Sequence, residues 1–462
     1  MTRKEKDHLG ELELPDEAYY GIQTLRAVRN FPVSGLRSPP ELVRAYVILK
    51  KAAAMANMRL GDLDLERGKA ITEAADIVFA GWHMDQFVVD VFQAGAGTSF
   101  NMNVNEVLAN IALERLGRSK GDYGHLSPND HLNLSQSTND TYPTAAHMAI
   151  IDLSEGLAKV LEDLHSALES KSSEFNSVHK SGRTHLMDAL PVTLGQEFEA
   201  YAAAVRRARS RIEQRCDDLL EVPLGGTATG TGANSRPEYR GEVIAIVSAL
   251  TGRKYRPALD SFEALQSRAQ MVAYSSSLRE LALELVRIAN DIRLLGSGPT
   301  AGLAEIELPA VQPGSSIMPG KVNPVMAECL DMIGFQVIGS DTVVMLAGQA
   351  GQLELNVMAP SMAFNVLLSQ RLLVNFIPVF TERCVRGIVA DEARCKGYLE
   401  YNPILATLLT SRIGYLKAAD LADEARRTGQ PILRLAVQAG IISKEEADRL
   451  FDPEGMTRVR FL

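Results

Sequence analysis

Apolar residues in the middle of the chain recur at helical spacing over long stretches. Leu194, Phe198, Tyr201, Val205, Ala208, Ile212, Cys216 and Leu219 step by 4, 3, 4, 3, 4, 4 and 3 residues, which is one face of an α-helix. Pro191 suits a first helical turn, where a missing N–H costs nothing, so the pattern predicts a helix over 192–222, about 46 Å long. Leu278, Leu281, Leu285, Ile288, Ile292 and Leu295 form a second seam, stepping 3, 4, 3, 4 and 3, with the spacing of bundle positions. Ala146, Ile150, Leu153, Leu157, Leu161, Leu164 and Leu168 form a third. Two more apolar helical stretches run over 327–347 and 360–385, the latter predicted to kink at Pro378. Little period-two alternation lies between them. The pattern predicts an all-α fold around a long-helix bundle with more apolar surface than one chain covers, and therefore self-association.

Three domains follow from this organisation: an N-terminal mixed helical domain over 1–138, the central long-helix bundle over 139–394, and a small C-terminal helical domain over 395–462. Within the last, amphipathic spacing predicts short helices at 418–427, 432–439 and 444–450. Neither an internal repeat nor a low-complexity segment is present.

Composition narrows the function classes. The 462 residues include 48 Lys+Arg and 57 Asp+Glu, a formal charge of −9, which argues against nucleic acid or an anionic membrane as partner. Hydrophobic residues at 46% and charged residues at 23% match an ordinary globular protein. The N-terminus has no apolar secretory core, and no unbroken apolar run reaches the roughly 18 residues of a membrane helix. Cys216, Cys329, Cys384 and Cys395 lie far apart and are expected to be reduced thiols of a cytoplasmic protein. The eight histidines form no ligand spacing, so no bound metal is expected.

Four segments break the apolar periodicity with small hydrogen-bonding residues: Gly95-Ala96-Gly97-Thr98-Ser99, Ser135 to Asp140, Gly182-Arg183-Thr184-His185, and Gly314 to Pro324. Free N–H groups at helix N-termini attract anions. Ser, Thr and Asn add directed donors, and Lys321 adds a positive charge, together suiting a small dicarboxylate. Taken singly, each loop also reads as a helix cap or a turn. The better-known loops do not fit. Five residues separate Gly314 from Gly320-Lys321 and Val322 follows, which is not a P-loop. Ser235 occupies the last glycine position of the Gly225 to Gly232 stretch, so a dinucleotide fingerprint fails as well. No nucleophile elbow is present. The Gly-Ser-Ser segment bounded by Gly314 and Gly320 instead suits a lid carrying a reactive serine.

Gly314-Ser315-Ser316-Ile317-Met318-Pro319-Gly320-Lys321-Val322-Asn323-Pro324 resembles the signature of the aspartase/fumarase superfamily. The resemblance extends over nearly the whole chain, through Tyr19-Tyr20-Gly21, Lys51 to Asn57, Asn101 to Asn110, Gly182 to His185 and Gly351 to Met358. Fumarases usually read Gly-Ser-Gly-Thr-Gln and Ser-Ser-Asn-Asp where this chain has Gly95 to Ser99 and Ser137 to Asp140, so it is more similar to the aspartase branch. Met84-Asp85-Gln86-Phe87 leans the same way.

The resemblance implies an all-α, three-domain homotetramer in which each active site gathers loops from three subunits. It implies reversible elimination of ammonia from L-aspartate to fumarate without an organic cofactor. By similarity, Thr98, Ser137, Thr138 and Ser316 would surround the β-carboxylate and stabilise the charge of an aci-carboxylate as it forms, with Ser315 as general base. Lys321, Asn323 and Thr184 would hold the α-carboxylate. Asn139 and His185 would lie beside the leaving amine, His185 as a binding rather than an indispensable group. Glu328 would either orient His185 or serve a helix cap. Met187, Thr300, Ala359 and Thr410-Ser411-Arg412 depart from the pattern, where relatives usually carry Gln, Arg, Glu and an Asn/His pair. Those departures point to altered subunit contacts or to a substituted aspartate as substrate. Fumarate hydration and a catalytically silent scaffold are the competing functions.

Overall fold

A computed structural model describes residues 1–458. Eleven helices lead the chain order: α1 (Ile22–Asn30), α2 (Pro40–Leu60), α3 (Leu65–Phe79), α4 (Thr98–Arg115), α5 (Thr138–Glu174), α6 (Leu194–Asp218), α7 (Tyr239–Thr251), α8 (Ser261–Gln266), α9 (Ala269–Leu295), α10 (Val325–Gln349) and α11 (Ala359–Arg383). The all-α class expected from the apolar spacing is what forms. Each position of the Leu278 to Leu295 seam is buried, as are Leu194, Phe198, Val205, Ala208 and Ile212 on α6 and Leu157, Leu161, Leu164 and Leu168 on α5. α11 continues unbroken through Pro378 to Arg383.

Two antiparallel hairpins interrupt the helices, and period-two reasoning did not find them. β1 (Thr2–Asp7) pairs with β2 (Gly10–Pro15), and β3 (His179–Thr184) pairs with β4 (Met187–Thr193). Pro191 therefore belongs to a strand, opposite Ser181, and not to the first turn of α6. The helix starts instead at a reciprocal cap: Gln196 N–H donates to Thr193 Oγ1 at 3.1 Å while Thr193 N–H donates to Gln196 Oε1 at 3.0 Å, which satisfies two otherwise orphaned donors.

The chain divides into two compact units. One comprises Met1–Ala158, Arg209–Ala282 and Phe335–Val374; the other comprises Lys159–Ala208, Leu283–Gly334 and Asn375–Leu462. In the first unit α2 packs on α3 and α7, and α3 packs on α4. Glu106 of α4 caps α1 from outside, accepting from the N–H groups of Gly21, Gln23 and Thr24 at 2.9 to 3.0 Å. In the second unit Leu399, Leu405, Leu409, Leu421, Ile432, Leu435 and Phe451 form a hydrophobic cluster of their own. Helices at Tyr415–Thr428, Ile432–Gln438 and Lys444–Leu450 build it, close to the amphipathic spacing.

α10 and the stretch Ala359–Gly387 reach the length and mean hydropathy, 1.4, of a membrane-crossing helix, which a search for unbroken apolar runs misses. Polar residues interrupt both. Asp341 of α10, only 3% exposed, pairs with Arg279 at 3.0 Å. Gln370 of α11, fully buried, donates to Ile150 O, Ser154 Oγ and Tyr274 Oη. Such partners mark helices packed against protein.

Candidate active site

Two of the donor-rich loops meet in the first unit, at the N-termini of α4 and α5. Gly97 takes φ +88°, and a Cβ there would lie 2.8 Å from Tyr142 Cγ. Only glycine allows the turn to rest on the Tyr142 ring and present exposed Thr98 as the first residue of α4. Ser137 closes the N-terminus of α5: its Oγ accepts from Asn139 N–H at 3.2 Å, and its own N–H donates to Asp140 Oδ1 at 3.0 Å. The cap reading of this segment is thus realised alongside any binding role. Asn101, one turn into α4, donates to Thr138 Oγ1 at 2.9 Å, and Asn139 Nδ2 donates to Ala228 O at 2.7 Å.

Asp140 anchors this corner. Its carboxylate also accepts from the N–H groups of Gly225 and Thr227 at 2.9 and 3.0 Å. The glycine-rich stretch that fails as a nucleotide fingerprint is therefore a backbone nest around a carboxylate of the same chain. Burial pushes the Asp140 carboxyl up to about 6, against the pull of those hydrogen bonds.

Thr184 and His185 sit at the tip of the β3–β4 hairpin in the second unit. Arg183 pairs with Asp188 and Thr184 with Met187, leaving His185 and Leu186 as a two-residue turn with φ +56° and +60°. Such turns favour Asn-Gly, because both central residues are left-handed, so His-Leu here carries backbone strain. Gly182 permits the hairpin's irregular register, since a Cβ would fall 2.5 Å from Leu190 O. Beneath the tip Arg183 binds fully buried Glu305 through two contacts of 2.9 and 2.7 Å. Buried Lys180 reaches both Glu197 and Glu305 at 2.8 and 2.7 Å.

The Gly314 to Asn323 loop is closed on itself. Gly314 N–H donates to Lys321 O at 2.8 Å and Asn323 Nδ2 donates to Gly314 O at 2.6 Å. Gly314 is required there, since a Cβ would lie 2.5 Å from Lys321 O. Inside the ring Ser315 Oγ, half-buried, accepts from the N–H groups of Ile317 and Met318 at 3.2 and 3.0 Å. Two donors on one hydroxyl oxygen favour its anionic form. Ser316 and Lys321 are exposed, and Glu328 is half-buried in the first turn of α10.

Of the residues singled out by the sequence, Thr98, Ser137, Thr138 and Asn139 belong to the first unit, and Thr184, His185, Ser315, Ser316, Lys321, Asn323 and Glu328 to the second. Among the described residues no hydrogen bond or ion pair within the chain joins Glu328 to His185. Nor does any group of three or more His, Cys, Asp or Glu side chains lie close enough to hold a metal ion. The four departures are scattered. Met187 is 69% exposed at the hairpin tip, Thr300 is exposed, Ala359 is buried at the start of α11, and Arg412 pairs with Glu446 at 2.7 Å. Sequence reasoning missed Lys50 and Asn57 of α2, which hold the segment from Asn133 to Gln136 that leads into Ser137. The signal was there in polar residues on an otherwise apolar helix face.

An all-α fold of long helices, with donor-rich loops at helix N-termini and a serine held as a hydrogen-bond acceptor in a closed turn, is the architecture of a lyase class. The family described as Lyase matches residues 10–339, and the family described as Fumarase C C-terminus matches residues 405–458. An aspartate ammonia-lyase of Bacillus subtilis is 50% identical over 99% of this chain and 96% of its own. A class II fumarate hydratase of Methylorubrum extorquens is 46% identical over 98% and 97%. Among solved structures, a fumarate lyase:delta crystallin from Brucella melitensis superposes with a TM-score of 0.96 at 47% identity, covering 99% of this chain and 100% of that one. A class II fumarase from Schistosoma mansoni superposes with a TM-score of 0.94 at 35% identity, covering 99% of each. The chain belongs to the aspartase/fumarase superfamily of lyases.

Proposed function

We propose that the chain is an aspartate ammonia-lyase, eliminating ammonia from L-aspartate to give fumarate. Removing the Cβ proton next to a carboxylate creates a doubly charged aci-carboxylate, which must be met by donors already in place. Ser315 is the base in this reading, and the observation that carries it is the pair of backbone N–H groups aimed at its oxygen. They stabilise an alkoxide without a neighbouring histidine, and the closing loop removes the water that would compete for it. Thr98, Ser137, Thr138 and Ser316 take the β-carboxylate; Lys321, Asn323 and Thr184 take the α-carboxylate. Asn139 and His185 lie beside the amine, and Glu328 supports His185. No organic cofactor is needed.

The site is assembled in a cytoplasmic homotetramer, each pocket drawing loops from three subunits. Met332, Phe335, Val343 and Leu346 support this assembly, lying along one stripe of α10 at 63, 59, 40 and 50% exposure, an apolar surface a partner must cover. The similarity to relatives named aspartate ammonia-lyase favours aspartate. The fumarate hydratase relative keeps malate as the second reading, and the departures at Met187, Thr300 and Ala359 keep a substituted aspartate. Following fumarate absorbance separates them: turnover of L-aspartate is expected, and turnover of malate alone overturns the assignment. Ser315→Ala should abolish turnover while leaving dicarboxylate binding and assembly in place; a near-full rate refutes the base.

A further inference from the structure

Lys50 is 1% exposed on α2, and its amine donates to Asn133 Oδ1 at 3.1 Å and Gln136 Oε1 at 2.9 Å. Asn133 Oδ1 also accepts from Asn101 Nδ2 at 3.1 Å and Asn105 Nδ2 at 3.2 Å. The same Asn101 Nδ2 reaches Thr138 Oγ1 at 2.9 Å. The line Lys50–Asn133–Asn101–Thr138 thus runs from the core of the first unit to the first turn of α5.

An amide side chain can present either its oxygen or its nitrogen, but a lysine ammonium can only donate. Lys50 therefore compels Asn133 to show its oxygen, while Asn133 Nδ2 donates to Gln136 O at 3.2 Å on its other side. That compels Asn101 and Asn105 to show their nitrogens, and Thr138 Oγ1 then faces a donor. The cost of this fixed direction is visible, because Asn101 Oδ1 and Asn105 Oδ1 are both buried without a partner. With every amide reversed those two oxygens would be accepting, and Asn101 would take the Thr138 hydrogen. Among the described residues no acceptor within the chain takes that hydrogen. Asn57, two turns beyond Lys50 on α2, holds the same segment by donating to Leu134 O and accepting from Ser135 Oγ, both at 3.0 Å.

We propose that Lys50 is a positioning residue that sets the polarity of the Asn133–Asn101 amide pair, so that the Thr138 hydroxyl is left as a donor for the substrate carboxylate. The inference rests on Thr138 being a carboxylate ligand and deepens that reading by naming what aims it. Burial lowers the Lys50 amine to about 7, with Asp140 opposing the shift. The donor-only ammonium therefore dominates below about pH 7, and Tyr46 of the same helix lays its ring 5.6 Å from the amine.

The test is a double-mutant cycle on the full-length enzyme with L-aspartate. Lys50→Met should lower kcat/KM by 10- to 100-fold, chiefly in kcat, with KM moved less than threefold, because the lost donor serves the charge that develops during reaction. Thr138→Val should give a loss of the same order, and the double variant should be within threefold of Thr138→Val alone. If the two losses multiply, or Lys50→Met keeps the parent rate, the polarity relay is wrong although Thr138 keeps its role. If Thr138→Val turns over at the parent rate, the carboxylate assignment fails and the relay with it. Should Lys50→Met not fold, Asn133 carries the same question. Asn133→Asp can only accept and should be at least tenfold more active than Asn133→Leu; equal rates overturn the proposal.

Discussion

Replacing Gly97 by alanine tests how the turn before α4 is held. Two separable terms contribute. The residue sits at φ +88°, where alanine is worse than glycine by about 1 kcal/mol. The added methyl would also fall on the Tyr142 ring, 2.8 Å from Cγ and nearer still to Cδ2 and Cε2. Tyr142 cannot step aside easily: it is 2% exposed, with the rings of Tyr46 and Phe100 at 6.1 and 6.2 Å. Forcing a methyl into such a core costs about 1–3 kcal/mol, so the total is about 2–4 kcal/mol. Gly61→Ala is the internal control. It has nearly the same φ, +80°, with nothing within 4 Å of the new Cβ, and should cost only the backbone part, about 1 kcal/mol. Equilibrium urea unfolding at unchanged m-value reads both. Gly97→Ala combined with Tyr142→Leu should be less destabilised than the two single costs added, because removing the ring relieves the clash. Equal costs for Gly97→Ala and Gly61→Ala would refute the packing argument. Turnover should fall with Gly97→Ala as well, because Thr98 is the next residue.

The ion cluster under the β3–β4 hairpin gives a second test. Arg183→Met strands Glu305, which has no exposure, with Lys180 as its remaining partner, and should cost about 3–5 kcal/mol; a loss under about 1 kcal/mol, the range of a surface pair, would contradict its burial. Glu106 predicts a pH dependence: burial raises its carboxyl from 4.5 to about 7, with the donors of Thr24 and Gln23 opposing. The folded form holds the proton more tightly than the unfolded chain, so the cost of the buried carboxylate is absent below 4.5, grows between 4.5 and 7, and is complete above 7, amounting to about 3 kcal/mol. Glu106→Gln lacks that slope, and unfolding free energies of parent and variant at pH 5 and pH 8 should differ by different amounts; the same difference at both would count against the shift.

Much of this molecule is legible in its residue order. The 3-4 stepping of leucines and isoleucines is itself the condition for burying one helix face, so α5, α6 and α9 follow from spacing alone. Pro191 shows where local reasoning stops. Its fixed φ suits a helix start and an edge strand equally, and only pairing with Ser181 across the hairpin decides between them. The donor-rich loops were recognisable as breaks in the helical pattern, because Ser, Thr and Asn cluster where apolar periodicity stops. The direction each donor faces was not.

That direction depends on partners far away in sequence. The Thr138 hydroxyl is oriented through Asn101 and Asn133 by Lys50, 88 residues earlier; Asp140 finds its donors at Gly225 and Thr227; Arg183 finds its carboxylate at Glu305. By itself the sequence determined the long helices and the superfamily, since spacing and residue type are local properties. Tertiary structure alone decided which buried amide turns its oxygen and which its nitrogen, because a hydrogen bond is settled only when both ends are in place.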